Sequence, residues 1–369
     1  MMKKMFFATL ACVALASCVS ETNRVPEANR GQRLSFGAPV LSTQTRNYEG
    51  EITGTDYPET ERFVVYAVEH VGDFAGWEGA NIVKDGSGKG YFPTTGEIVT
   101  KGDDQHWYTS NPYYLPSVPG NKLSFAAVSP ARVAFIDGTS SNPNVTYDKT
   151  GLNIVDWVMP SENPYDLMYS SRTLNVSEAE VSINFKHALS SIRFQFVKPT
   201  VADGGAYQVL IKKLAVKAAG LKNKGTFTNG IEIGNKEGAP SWTLNPTPVS
   251  VSGDEYVLFQ GDDYEVQTSL AEIGGVESFM PLPQNVTSNM KVAVTYQITQ
   301  IEGGAPEAEV TAEIPFTDFI YDTDKHTTEW KMSNRYIYQI SFGAMTKIYF
   351  HPTVTDWVTT GNAGVYVIK

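Results

Sequence analysis

The ten residues from Lys291 to Gln300 alternate without a break: Val292, Val294, Tyr296 and Ile298 point one way, and Lys291, Ala293, Thr295, Gln297 and Thr299 point the other. Side chains on a strand change face at every residue, so this stretch requires an antiparallel sheet with one face in a core and the other in water. The same reading recurs along the chain. Arg62 to Val68 is an unbroken β-branched and aromatic run that predicts a buried strand, and Leu123, Phe125 and Ala127 alternate with Lys122, Ser124 and Ala126. Further strands are expected at 153–159, 165–170, 209–216, 225–227, 255–259, 277–281, 308–314, 335–342, 347–350 and 364–368. With 31 glycines and 20 prolines among 369 residues, and no helical heptads, this is an all-β chain of short strands and turns, in the manner of β-sandwiches.

What holds such a chain together is decided at its start. Lys3 and Lys4 precede an apolar run from Met5 to Ala16, and Leu15-Ala16-Ser17-Cys18 follows the pattern of a bacterial lipobox. Residues 1–18 therefore read as a lipoprotein signal, with lipid attached to Cys18 and the membrane as the anchoring partner. The other cysteine, Cys12, lies inside the signal. A mature chain of about 350 residues then has no internal disulfide and depends on packed cores, for which its length suffices.

Residues 19–33 are polar and read as a tether, followed by a first strand at Leu34 to Val40 with Leu34, Phe36, Ala38 and Val40 on one side. A domain boundary is expected in the polar span 171–180, giving domains at 34–173 and 174–369. Within the second, Lys186 to Ser190 interrupts the alternation of Val181 to Phe185 before Ile192 to Val197 resumes it, which predicts a helical turn or wide bend.

Chemistry is scarce. The histidines, at 70, 106, 187, 326 and 351, show no metal-ligand spacing, no cysteine remains to complete a zinc set, and there is no nucleophile elbow or P-loop. No catalytic residue, metal site or cofactor is expected, and His187 reads as a structural hydrogen-bonding residue. The acidic stretches Asp103-Asp104, Gly261 to Glu265 and Asp318 to Asp324 read as solvated loops, with calcium as the competing reading. Net charge is −11, or −13 once Lys3 and Lys4 leave 27 basic side chains against 40 acidic ones, and no basic patch offers itself to nucleic acid. Trp77, Trp107, Tyr108, Tyr113 and Tyr114 lie in turn-rich stretches, where they either stack on sugars or proteins or close small cores.

Several segments resemble the Bacteroidales fimbrillin family, the subunits of type V pili. They are the lipobox, Phe185-Lys186-His187-Ala188-Leu189-Ser190-Ser191-Ile192-Arg193-Phe194, Lys224-Gly225-Thr226-Phe227, Phe279-Met280-Pro281-Leu282-Pro283-Gln284, and Ile348 to Trp357. The resemblance implies two β-sandwich domains of transthyretin-like topology and a non-catalytic subunit of a fimbrium, carried to the outer membrane and cell surface as a lipoprotein. It implies an arginine-specific protease that cuts after Arg46, with Arg30 and Arg33 as lesser sites, and removes the strand Leu34 to Val40. A strand from another pilin subunit then fills the vacated groove. The donor is either the new arm beginning Asn47-Tyr48-Glu49 or the C-terminal run Val365, Tyr366, Val367 and Ile368. A glycan-binding surface lipoprotein and a non-polymerising anchor or accessory subunit are the alternatives.

Overall fold

The computed structural model describes residues 33–41, 57–71, 82–84, 91–116, 118, 121–136, 140–141, 144–148, 150–161, 164–175, 180–198, 207–231, 237–300, 306–322, 325–343 and 348–356. The fold is all-β and mostly antiparallel, and among the described residues the helical turns are short 3-10 pieces such as Ala131–Val133. None is long and apolar enough to cross a membrane.

The largest sheet has ten strands and curls until its ends meet. Phe63–Val71 lies at its centre, flanked by Glu97–Lys101 and Asn121–Ser129, with Ile82–Lys84 paired at its far end. Trp107–Thr109 continues the sheet from Glu97–Lys101, and Met168–Asn175 continues it from Asn121–Ser129. Beyond Met168–Asn175 comes Asn184–His187, and beyond Trp107–Thr109 comes Ser35–Phe36. These two ends meet through their neighbours in the chain. Ser35 and Phe36 run parallel to Glu180 and Val181, while Val40 and Leu41 run parallel to Asn184 and Phe185. Segment 33–41 is therefore the stave that closes a ring of strands: Ser35–Phe36 is paired on both sides and Val40–Leu41 on one.

Period-two alternation explains why Phe63–Val71 is buried from its first residue to its eighth. Phe63, Val65 and Ala67 face into the ring, where every stave contributes: Leu34 and Phe36, Trp107, Val99, Leu123, Phe125 and Ala127, Met168, and Val181, Ile183 and Phe185. Val64 and Tyr66 face outward and join a second, larger core. The expected one-sided burial of Asn121–Ser129 is thus corrected: Ala126 and Val128 are buried on its other face.

Three four-stranded sheets build that second core. One runs Val145–Asp148, Gly151–Val158, Lys224–Ile231, Glu237–Leu244; another runs Ala271–Glu272, Ser191–Val197, Asn334–Phe342, Ile348–Asp356. The third runs Glu255–Glu265, Tyr207–Lys217, Lys291–Gln300, Val310–Pro315. In Lys291–Gln300, Val292 and Val294 are fully buried, as the alternation requires. Its wet face is laced by Lys291 to Glu313 at 3.1 Å and Thr295 to Thr311 at 2.8 Å.

Pairing crosses the boundary expected at 173/174. Strands 180–187 belong to the ring, and Gly151–Val158 belongs to the sheet of Lys224–Ile231. The interruption expected at Lys186 to Ser190 begins two residues later: Lys186 and His187 still pair with Tyr169 and Met168, and the chain leaves the ring for the second core at Ala188. It is a bend and not a helical turn, because other segments satisfy its backbone one group at a time. Ala188 N–H donates to Leu167 O at 2.8 Å and Ser190 N–H to Pro281 O at 3.0 Å. Trp242 Nε1 donates to Ala188 O at 2.7 Å, and Ser333 N–H to Leu189 O at 2.9 Å. At the same junction His187 Nδ1 lies 2.6 Å from Asp166 Oδ2, both side chains buried, so His187 has the structural role its context predicts.

Candidate functional site

The site is the closing segment 33–41 and the slot it fills. Its two walls are Trp107–Thr109 and strands 180–187. Leu34 N–H donates to Tyr113 O at 2.7 Å, Phe36 sits opposite Trp107, and Gly37 N–H donates to Val181 O at 3.0 Å. Leu34 and Phe36 are 0% exposed. Phe36 meets Phe63 edge-on at 6.2 Å between centroids, an arrangement that suits the ring quadrupoles.

The slot floor is aromatic. Tyr57 stacks on Phe185 at 5.4 Å and touches Trp107 at 5.4 Å and Phe63 at 5.6 Å. Its N–H donates to Pro39 O at 3.3 Å and its hydroxyl lies 2.7 Å from Ser129 Oγ. Burial pushes that hydroxyl far above the usual tyrosine range, so it stays neutral and holds its place as a hydrogen-bonding group.

Two straps cross the outside. Glu180 Oε1 reaches to 3.3 Å from His106 Nδ1, joining the walls over the closing segment, and the carboxylate passes where Gly37 has no side chain. At the segment's start the Arg33 guanidinium lies 4.3 Å from the Tyr108 ring centroid and donates to Thr109 O at 3.3 Å. Tyr108 in turn donates to Asp104 Oδ2 at 2.6 Å. That bond lowers the Asp104 carboxyl and raises the Tyr108 hydroxyl.

The expected four-residue face Leu34, Phe36, Ala38, Val40 is corrected. The strand breaks into Ser35–Phe36 and Val40–Leu41, Ala38 is exposed, and Pro39 takes the buried position instead. The pairing offset drops from 145 residues at Phe36 and Val181 to 144 at Val40 and Asn184, so one extra residue bulges out of the closing segment. Val40 still pairs with the wall at Asn184. Cys18, Arg30, Arg46, Trp77 and the run Val365, Tyr366, Val367, Ile368 lie outside the described residues.

Trp107, read as a possible exposed stacking residue, is 2% exposed and packs inside the ring. Tyr114 is exposed, whereas Tyr113 donates to Glu97 at 2.6 Å, and burial followed by that bond raises its hydroxyl. The Asp262-Asp263 stretch is not a loop but part of strand Glu255–Glu265. There Asp263 pairs with Lys212, and Glu265 with Lys198 at 3.3 Å. Among the described residues no cluster of three metal-ligating side chains occurs. Tyr57, Pro39 and the Glu180 to His106 strap escaped the sequence reading. The only signal for Tyr57 was an aromatic residue just ahead of a buried strand.

No curated protein matches the chain. Its fold is similar to that of a fimbrial protein from Bacteroides vulgatus ATCC 8482, with a TM-score of 0.54 at 14% identity, covering 88% of this chain and 100% of that one. A protein proposed to act in cell adhesion, from Bacteroides uniformis ATCC 8492, aligns with a TM-score of 0.45 at 16% identity, covering 89% of this chain and 100% of its own. A model of the Fimbrillin-like family matches residues 62–357. That span starts just before the Phe63–Val71 strand, ends just past Ile348–Asp356 and takes in both cores apart from Leu34, Phe36 and Tyr57, and by it this chain belongs to the Fimbrillin-like family.

Proposed function

We propose that this protein is a fimbrial subunit delivered as a lipoprotein through Cys18 and assembled by strand exchange once an arginine-specific protease has cut after Arg46. Membership of the family carries the coarser part: a structural, non-catalytic role in surface fimbriae and association with other pilin subunits. The rest is inferred from the sequence and the closing segment. In that reading, residues 1–18 are the signal, 19–33 the tether, and the remainder two β-domains of transthyretin-like topology whose strands are shared across the 173/174 boundary.

One observation carries the proposal. Segment 33–41 is covalently a leader but structurally a stave, hydrogen-bonded on both sides and burying Leu34 and Phe36 in the ring. Burying each such side chain stabilises by about 1.5–3 kcal/mol, so an emptied slot is strongly driven to take another strand. Cleavage at Arg46 severs the stave from the ring without touching either wall.

The test is the mature N-terminus. Mass spectrometry of cell-surface protein should find Asn47 in assembled material and lipidated Cys18 in precursor, and Arg46→Ala should leave only the latter and no polymer. Polymer from Arg46→Ala at the parental level would remove Arg46 from the account. An anchor subunit that keeps its closing segment is the second reading, favoured by how completely that segment is bonded. Of the two tryptophans a glycan-binding role would use, Trp107 is core and Trp77 lies outside the described residues.

A further inference from the structure

The closing segment is held unevenly along its length. Its first half is paired on both sides: Ser35 and Phe36 lie against Glu180 and Val181, Phe36 also lies against Trp107, and the N–H groups of Leu34 and Gly37 donate to Tyr113 O and Val181 O. Among the described residues, its second half has one ladder, from Val40 and Leu41 to Asn184 and Phe185, and one long backbone bond, from Tyr57 N–H to Pro39 O at 3.3 Å. Ala38 is exposed there, and Pro39 has no N–H to give.

The outer straps lie over the first half. They form a continuous run: the Arg33 guanidinium on the Tyr108 ring, the Tyr108 hydroxyl on Asp104, Asp104 Oδ1 accepting the His106 N–H at 3.2 Å, and His106 Nδ1 beside Glu180, whose carboxylate covers Gly37. We infer that this run is a lock with Arg33 as its fixed end. The segment peels from Leu41 toward Arg33, and the Arg33–Leu34 peptide bond stays closed to proteases until the whole stave has left. This rests on reading 33–41 as a removable stave and adds how it opens.

A protease takes its substrate as an extended strand, with the arginine side chain in a pocket and the flanking backbone bonded to the enzyme. Nothing at Arg33 is available for this. Its guanidinium lies on Tyr108, the next N–H is committed to Tyr113 O, and Leu34 and Phe36 are fully buried. Arg33, which the family resemblance marks as a lesser cleavage site, instead guards the bond beside it. Opening from the other end costs less, because it breaks one ladder and uncovers Pro39, whereas opening at Arg33 breaks pairing on both sides and uncovers Leu34 and Phe36. Arg46 lies beyond Leu41 in the chain, so a cut there frees the end that is held least.

The test uses the full-length chain carrying Arg46→Gln, so that no cut at 46 releases the segment. Hydrogen exchange should find the Tyr57 amide, which reports on Pro39, at least about tenfold less protected than the amides of Leu34 and Gly37. Equal protection, or the reverse order, would overturn peeling from Leu41. Trypsin cleavage of Arg33–Leu34, followed by mass spectrometry, should be at least about a hundredfold slower than in a synthetic peptide of residues 28–38. It should rise about two- to fivefold in Tyr108→Leu and in Glu180→Gln, with exchange of Phe63–Val71 unchanged. Cleavage at the peptide's rate, or variants that leave it unchanged, would overturn the lock. So would a rise matched by lost protection in Phe63–Val71, which would place the effect in the whole ring. None of these arms involves polymer, so all can fail while Asn47 is still found as the mature N-terminus of assembled protein.

Discussion

Phe36 stands edge-on to Phe125, with ring centroids 6.0 Å apart and planes at 86°. Phe36 belongs to the nine-residue closing segment 33–41, and Phe125 to a central strand of the ring. Through this contact the closing segment is part of the ring core.

Phe36→Ala in the unprocessed chain should therefore cost about 3–5 kcal/mol, the range for an aromatic residue removed from a closed core. Urea unfolding followed by tryptophan fluorescence reads this directly, since Trp107 lies opposite Phe36. A loss below about 1 kcal/mol would mean that the segment rests on the ring without sealing it.

The bend after His187 depends on partners brought from far along the chain. Asp166→Ala removes the group that holds the buried His187 ring and should destabilise by about 1–3 kcal/mol. Trp242→Phe, which removes the donor to Ala188 O, should cost about 1 kcal/mol. Because both act at the passage between the two cores, calorimetry should show one cooperative transition shifted down. A split into two transitions would show that the cores unfold independently.

Acid should weaken the wet sheet through Glu255. The bond from Lys213 holds its carboxyl below the usual range, aided by the bond from Lys217 at 3.3 Å. A lowered carboxyl contributes stability above its unfolded value, and that contribution fades as pH falls through the folded one. Glu255→Gln should thus be less stable than the parent by about 0.2–1 kcal/mol at pH 7, the gap closing below about pH 4. A gap unchanged at pH 3 would contradict the ion-pair origin.

Much of this was legible in local pattern. The alternation of Lys291–Gln300 set its two faces, the run at Phe63–Val71 announced burial, and the break read at Lys186 to Ser190 contains the departure from the ring at Ala188. Strand Glu237–Leu244 was missed because Gly238 and Pro240 read as turn residues, though an edge strand accepts them. Ala38 was misplaced because period two cannot foresee a bulge, here one residue before a proline that cannot donate to a ladder. Trp107 was misread because nothing local tells an aromatic residue in a short strand that Tyr57, Phe63 and Phe36 will surround it. Ring closure depends on pairing residues about 145 positions apart, a relation no window along the chain contains.

The central claim is that segment 33–41 fills the slot in the single subunit and is gone from it in the fimbrium. Quantitative mass spectrometry of purified polymer, digested and assayed for a peptide from residues 33–41 against one from Lys291–Gln300, measures this directly. The account predicts the first peptide absent while the second is present at one copy per subunit. Equal amounts of the two in polymer would contradict it.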